Sequence, residues 1–237
     1  NPRPPQRQCP GQAQAPAHIG ERPVAGHPLR QLAASQGITQ RASRRANGTS
    51  NLGGARILSV QNKDNSIFRL RYRYDLGTWN DKKLAIAAQY LSFLGTDKKS
   101  AEDITKEFYK IACSFTISAG PEYTTVTIEG LQENFSKGVA LFENLLANCK
   151  ADEKALTSLK ARLTKSRTDA KANKGAIMTG LTNYARFGSS NPFNYTLSDA
   201  ELNGLTADEL VSKLHNLNNY SHQILYYGPQ SLAALGL

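Results

Sequence analysis

The residues able to do chemistry in this chain are three cysteines (Cys9, Cys113, Cys149), four histidines (His18, His27, His215, His222) and a run of bases over 160–174. The cysteines are odd in number and widely scattered, which fits neither a disulfide framework nor a zinc ribbon. Cys113 and Cys149 fall in stretches that read as apolar helical faces. A buried, inert thiol is expected there, because a reactive thiolate needs a positive, accessible setting. His18 and His27 lie nine residues apart with Pro and Gly between them, which is not metal-site spacing on any regular element. His215 and His222 are seven apart, with no carboxylate close in sequence. There is no glycine-rich phosphate loop, nucleophile elbow or Cys-x-x-Cys. Lys160, Arg162, Lys165, Arg167, Lys171 and Lys174 spread around much of a helix, the pattern of a solvated face, with a groove for anionic peptide or nucleic acid as the alternative. These residues assemble no catalytic constellation.

The elements that must carry them are legible from periodicity. Strands are predicted at 57–60 and 67–74, separated by the turn-forming Asn62-Lys63-Asp64-Asn65. In the second strand Ile67, Arg69, Arg71 and Arg73 share one face, while Phe68, Leu70, Tyr72 and Tyr74 share the other. A sheet with one polar and one apolar face follows. A helix is predicted over 80–94, stopped at Gly95, and another is opened by the capping box at Ser100 and Asp103, carrying Ile104, Phe108, Ile111 and Ala112 inward. Strands at 115–118 and 123–129 form a hairpin. A helix over 133–149 turns Phe135, Val139, Phe142 and Leu146 to one side. A long basic helix runs from Asp152 towards Ala172 with Leu156, Leu159, Leu163 and Ser166 inward, and a further helix after Asn173 holds Ile177, Leu181 and Tyr184. Thr206 and Glu209 cap a helix over 210–217, and 222–227 closes the chain as a strand. Hairpins with helices in blocks imply an α+β fold, an antiparallel-rich sheet with helices packed on one face.

The formal net charge of +10 on 237 residues invites nucleic acid or an anionic membrane as partner until its location is known. Residues 1–56 hold eight Arg, no Lys and one acid, and seven of the ten prolines, with no Phe, Tyr or Trp. That composition predicts a disordered leader over 1–55, since little apolar surface is available to offset the entropy of ordering. Arg outnumbers Lys 8 to 0 up to Arg56, but from Ile57 onward the ratio is 6 to 15. The change suggests a foreign or mis-called start rather than a basic arm for nucleic acid. The remainder, with 21 bases against 18 acids, is nearly neutral. Nucleic acid is therefore not expected as partner. No run of about 18 apolar residues occurs, so no membrane span is expected. The basic N-terminus lacks an apolar core, so no signal peptide is expected on this chain.

The stretch IFRLRYRYDLGTWNDKKLAIAAQYLSFLGTDKKSAEDITKEFYKIACSF resembles the insulinase/pitrilysin family of zinc metallopeptidases. The segments GLQENFSKGVALFENLLANC, NPFNYTLSDAELNGLTADELVSKL and ILYYGP extend the likeness to about residues 56–229. More narrowly, it resembles one repeat of the long periplasmic Bacteroides-type members, which implies the mitochondrial-processing-peptidase-like α+β unit. The resemblance implies that repeats pair, a catalytic and a non-catalytic half enclosing an unfolded peptide. The catalytic half carries His-x-x-Glu-His ahead of a Phe-x-Gly-Thr stop: two His bind Zn²⁺ and the Glu activates the metal-bound water. Here the stop is Phe93-Leu94-Gly95-Thr96, which places Ile86, Gln89 and Tyr90 where the His, Glu and His would stand. The third ligand, a Glu on the long helix, would fall in 160–169, where no Glu occurs. The resemblance therefore implies a non-catalytic domain over 56–237, without zinc and inactive alone. Its partners would be the catalytic repeat and an unfolded peptide, in the periplasm or cell envelope. By rough position Arg167 and Tyr184 would reach the peptide, unless they are a surface base and a core aromatic. The alternative is an inactive stand-alone assembly subunit, and in either case a lone repeat would tend to self-associate.

Overall fold

Alternation along the strands organises the molecule. The computed structural model describes residues 48–52 and 55–235. Six strands, β1 (Gly48–Leu52), β2 (Ala55–Gln61), β3 (Ile67–Tyr74), β4 (Cys113–Ala119), β5 (Thr124–Leu131) and β6 (His222–Gly228), form one sheet in the order β1-β2-β6-β3-β5-β4. Every pairing is antiparallel except β2 with β6. The described helices are α1 (Leu84–Leu91), α2 (Ala101–Lys110), α3 (Phe135–Asn148), α4 (Glu153–Ala172), α5 (Lys174–Phe187), α6 (Asp199–Asn203), α7 (Ala207–His215) and α8 (Leu232–Leu235). The fold is α+β with an antiparallel-rich sheet, as the hairpins predict. No described helix is long and apolar enough to cross a membrane.

On β3, Phe68, Leu70 and Tyr74 are buried while Ile67, Arg69 and Arg71 are exposed. The register carries that apolar face across the sheet: Leu70 lies beside Ile128 and Tyr226, and Tyr72 beside Val126 and Ile224. Helices α1, α2 and α3 cover this face, and α7 packs on α1 and α3. Phe135 of α3 stands edge-on to both Phe68 (centroids 5.0 Å) and Tyr226 (5.8 Å), and Phe115 bridges Phe108 of α2 and Phe142 of α3 at 5.1 and 5.3 Å. Such aromatic pairs add about 0.5–1.5 kcal/mol each beyond the area they bury. The polar groups that enter this layer are satisfied: the Tyr74 hydroxyl donates to Asn218 Oδ1 (2.7 Å), and that of Tyr226 to Gln132 Oε1 (2.7 Å).

Several boundaries differ from the sequence reading. β1 lies inside the segment 1–55 expected to be disordered, and it pairs with β2 from Gly48–Ser59 to Leu52–Ala55; residues 1–47 lie outside the described residues. The helix expected at 80–94 is regular only over α1, flanked by turns. Ala112 was expected to continue a buried helical stripe, but it adopts φ 49°. That left-handed residue ends α2 and starts β4, so Cys113 belongs to a strand, and Cys149 caps the end of α3 rather than lying on a helical face. Helix α6 was not anticipated, although Ser198 and Glu201 form a full capping box before it. Ser166 on α4 is exposed.

α3 approaches the sheet closely where side chains are missing. A Cβ on Gly130 of β5 would meet Cys113 Sγ at 2.4 Å and the Ala112 carbonyl oxygen at 2.7 Å, and one on Gly138 of α3 would meet the same sulfur at 3.0 Å. Because one of the Gly130 neighbours is backbone, relaxation is costly. We expect Gly130→Ala to destabilise the domain by about 1–3 kcal/mol, read as a lower urea midpoint with unchanged slope.

Candidate functional site

The three positions where the sequence resemblance would place a metal motif, Ile86, Gln89 and Tyr90, sit on α1, and the structure gives each a separate fate. Ile86 is 6% exposed and Tyr90 fully buried, both in the main core. Gln89 is exposed, and its amide folds back to the Ala85 carbonyl (3.2 Å). The Tyr90 hydroxyl donates to the Asp152 carbonyl oxygen (2.7 Å) and accepts from the Asp152 N–H (2.8 Å). Asp152 is the N-cap of α4, its carboxylate accepting from the N–H groups of Lys154 and Ala155. Thus Tyr90 fastens α1 to the start of the long helix α4. An isoleucine, an exposed amide and an engaged phenol do not fit zinc, which takes His, Cys or carboxylate donors. Among the described residues no group of three His, Cys, Asp or Glu could hold a metal ion.

Arg167 and Tyr184 lie on different helices. Arg167 of α4 donates through its two terminal nitrogens to Asp199 Oδ1 (2.5 Å) and to the Leu197 carbonyl (2.8 Å). Lys160, earlier on the same helix, donates to the carbonyls of Asn203 (2.9 Å) and Leu205 (2.7 Å). Part of the basic run is therefore a set of tethers holding the 197–205 segment on α4, which spacing alone could not reveal. Tyr184 of α5 is 62% exposed, with Ile177, Met178 and Leu181 of the same helix 46%, 63% and 59% exposed. The sequence places Ile177, Leu181 and Tyr184 on this helix, with a core aromatic as one alternative for Tyr184; its exposure is against that alternative. α5 buries no residue and contacts α4 alone among the helices it approaches closely. Its apolar stripe faces outward because the sheet's buried face is already covered by α1 to α3.

Among the described residues, the two thiols are buried and poorly placed to act as nucleophiles. Burial pushes the Cys113 thiol up and Cys149 up to about 11. Cys149 Sγ lies 3.5 Å from His215 Nε2, but that nitrogen also lies 3.1 Å from the Cys149 carbonyl oxygen, a better partner than a neutral thiol. His222 Nδ1 lies 3.0 Å from the Tyr220 carbonyl and its ring rests against Tyr74 at 5.1 Å.

Two outcomes follow from these contacts. Tyr90→Phe strands the Asp152 N–H while keeping the ring, so we expect a loss of about 1–3 kcal/mol and a melting point lower by about 2–4 °C per kcal/mol. For Cys149, the folded value of about 11 exceeds the ordinary 9.0. The thiol is neutral in both states below pH 9, so its contribution is intact there; it is lost between 9 and 11, where the unfolded chain ionises first. Burial raises Tyr72, Tyr74, Tyr90 and Tyr226 too, which steepens the alkaline fall. Urea denaturation against pH should show a plateau below pH 9 and a decline above it that is shallower in Cys149→Ala.

Comparison with known proteins gives this geometry a context. Residues 83–194 match the model for Insulinase (Peptidase family M16), a narrower span than the resemblance read from the sequence. No curated protein sequence matches the chain. Among solved structures, the peptidase M16 inactive domain from Pseudomonas fluorescens superposes with a TM-score of 0.65 at 18% identity, over 78% of this chain and 47% of that one. A point mutant of the ferredoxin protease FusC, in complex with Arabidopsis ferredoxin, gives 0.66 at 15% identity, over 81% and 23%. The periplasmic protease PqqL from Escherichia coli gives 0.63 at 12% identity, over 81% and 23%. The chain thus spans about a quarter to a half of the length of these structures, and at such identities the likeness is one of fold. Over residues 83–194 the chain is thus similar to the insulinase family, peptidase family M16, and its described fold is like that of an M16 domain.

Proposed function

We propose that this chain is the non-catalytic half of a zinc metallopeptidase, forming one wall of a chamber that encloses an unfolded peptide, with the catalytic half outside this sequence. The observation that carries the reading is the fate of positions 86, 89 and 90: Ile86 and Tyr90 are spent on the core and on the α4 cap, and Gln89 has no acid to activate water. Zinc belongs to the catalytic half. Two further features support pairing. The M16 inactive domain from Pseudomonas fluorescens and a protease from Helicobacter pylori are each about twice this unit, and α5 carries an apolar stripe that nothing in the described chain covers. In the pair, Tyr184 reaches the peptide from α5, and Arg167 exchanges its Asp199 contact for a peptide carbonyl or carboxylate. The functional unit runs over 56–237 with β1 attached. A periplasmic or cell-envelope location is proposed on the strength of the periplasmic neighbour.

The test is reconstitution with an M16 domain that retains His-x-x-Glu-His and is encoded beside this chain. Hydrolysis of an unfolded peptide should require both proteins and zinc; hydrolysis by this chain alone with stoichiometric zinc overturns the reading. Formation of an inactive complex would instead favour a stand-alone assembly subunit. In the active pair, Tyr184→Ala and Arg167→Ala should raise KM by about three- to ten-fold with little change in kcat, the mark of lost substrate binding. Alone, the chain should self-associate in sedimentation, and Leu181→Glu on the α5 stripe should weaken that association.

A further inference from the structure

The near neutrality of residues 57–237 hides a concentrated charge on one surface. The face of the sheet opposite the helices carries Arg69, Arg71 and Arg73 at alternate positions of β3. Register places Gln223 beside Arg73 and Arg56 beside Gln223, so a fourth arginine shares this face. Against these four, among the described residues, there is one acid from the adjoining strands, Glu129 of β5, and it is bound to Arg69 at 2.8 Å. Arg73 lies over the Tyr123 ring, 4.5 Å from its centroid. Arg71, in the middle of the row and exposed, has only a long contact to Thr127 Oγ1 (3.4 Å), with Leu225 on its other side. The rest of the β4–β5 side of this face is hydroxylic, with Ser114, Thr116, Thr125 and Thr127.

Like charges side by side on a sheet face are destabilising, so this row works against the fold. The choice of base is also specific. Residues 57–237 hold 15 Lys and six Arg, and half of those six Arg lie in this one strand. Guanidinium groups offer a planar fork that grips carboxylates through two bonds, which an ammonium cannot do. Alternate residues of a strand are about 6.8 Å apart, the same repeat at which an extended peptide presents side chains to one side. The row is therefore matched in spacing to acidic residues at alternate positions of an extended chain.

We infer that the open face of the sheet, centred on Arg71, is a binding surface for extended peptide and that it selects acidic segments. The inference rests on the chamber-wall reading and names the substrate class that the wall prefers. Peptide crossing the face meets Arg71 first, because its guanidinium is the one on β3 without a carboxylate or an aromatic ring against it. Hydroxyl groups from β4 and β5 are then available to the peptide backbone.

The experiment is fluorescence anisotropy with the full chain and three unfolded, dye-labelled peptides of equal length, in which alternate positions are Glu, Gln or Lys. The Glu peptide should bind about ten-fold more tightly than the Gln peptide at low salt, and the advantage should shrink as salt screens it. Arg71→Gln should reduce Glu-peptide affinity about five-fold and leave Gln-peptide affinity alone. Lys171→Gln, which removes an equal charge from α4, is the control, and circular dichroism establishes that both variants are folded. Equal losses in Arg71→Gln and Lys171→Gln would show that net charge alone matters and would sink the inference. Equal binding of Glu and Gln peptides overturns acidic selectivity but leaves the chamber wall standing, whereas no binding of any peptide removes the wall as well. A single-stranded DNA oligonucleotide that displaces the Glu peptide and itself loses affinity in Arg71→Gln would assign the face to nucleic acid and overturn the proposal.

Discussion

The molecule depends on burying the helix-covered face of a six-stranded sheet, although Leu58 of β2 is also buried on the opposite side. Phe68, Leu70, Val126, Ile128 and Tyr226 are each no more than 2% exposed beneath the helices. Side chains alternate with period two, so a slip of one residue in any central pairing would put arginines into that layer and apolar groups outside it. The register is thereby held by free energy on both faces, and the open face is left to carry polar and charged groups that play no part in the core. An arginine row can persist there at modest cost because solvent screens it.

The same constraint explains the outer helices. Once α1, α2 and α3 occupy the apolar face of the sheet, α4 can bury only Leu156 and Leu159, and α5 has nothing left to bury against. The segment after α5 is held by polar tethers instead: Arg167 and Lys160 donate to the carbonyls of Leu197, Asn203 and Leu205, and Glu153 accepts from the Ala207 N–H. Two ion pairs, Lys83 with Glu209 and Lys213 with Asp81, join α7 to the start of α1. A periphery held by hydrogen bonds and partly exposed ion pairs is weaker than the core. That is a physical setting in which an uncovered apolar stripe can remain available to another surface.

Positions 86, 89 and 90, where the resemblance would place a metal motif, have structural work in this chain. Histidine at 90 would have to face its metal; Tyr90 instead turns a phenol into a two-way clasp on Asp152. A group with one donor and spare acceptor capacity suits this N-cap: the phenol oxygen accepts from the Asp152 N–H, and its O–H adds a second bond to a carbonyl that already accepts from the Leu156 N–H. Ile86 fills the adjoining core volume. This helix therefore contributes to the fold through its core face and its clasp on α4.

Strand β3, the capping box at Ser100 and Asp103 and the apolar stripe of α3 were legible in the sequence, because each is a local pattern whose period or spacing is decided within a few residues. So was the absence of His and Glu at 86, 89 and 90. Ala112 was misread because a single left-handed residue ended a helix that the apolar pattern would have continued, and this moved Cys113 into a strand. The exposure of Tyr184, Leu181 and Ile177 was not legible because periodicity marks which residues share a face without saying whether anything covers it. Nor could linear spacing show that Arg167 is bound to residues thirty positions away or that Arg56 joins the row on β3. The chain's own residues determined the elements, their amphipathic faces and the missing motif, since those follow from local geometry. The tertiary structure alone decided which faces are covered, which bases are tethers and which four arginines share a surface, since those depend on strand order and packing across the whole chain.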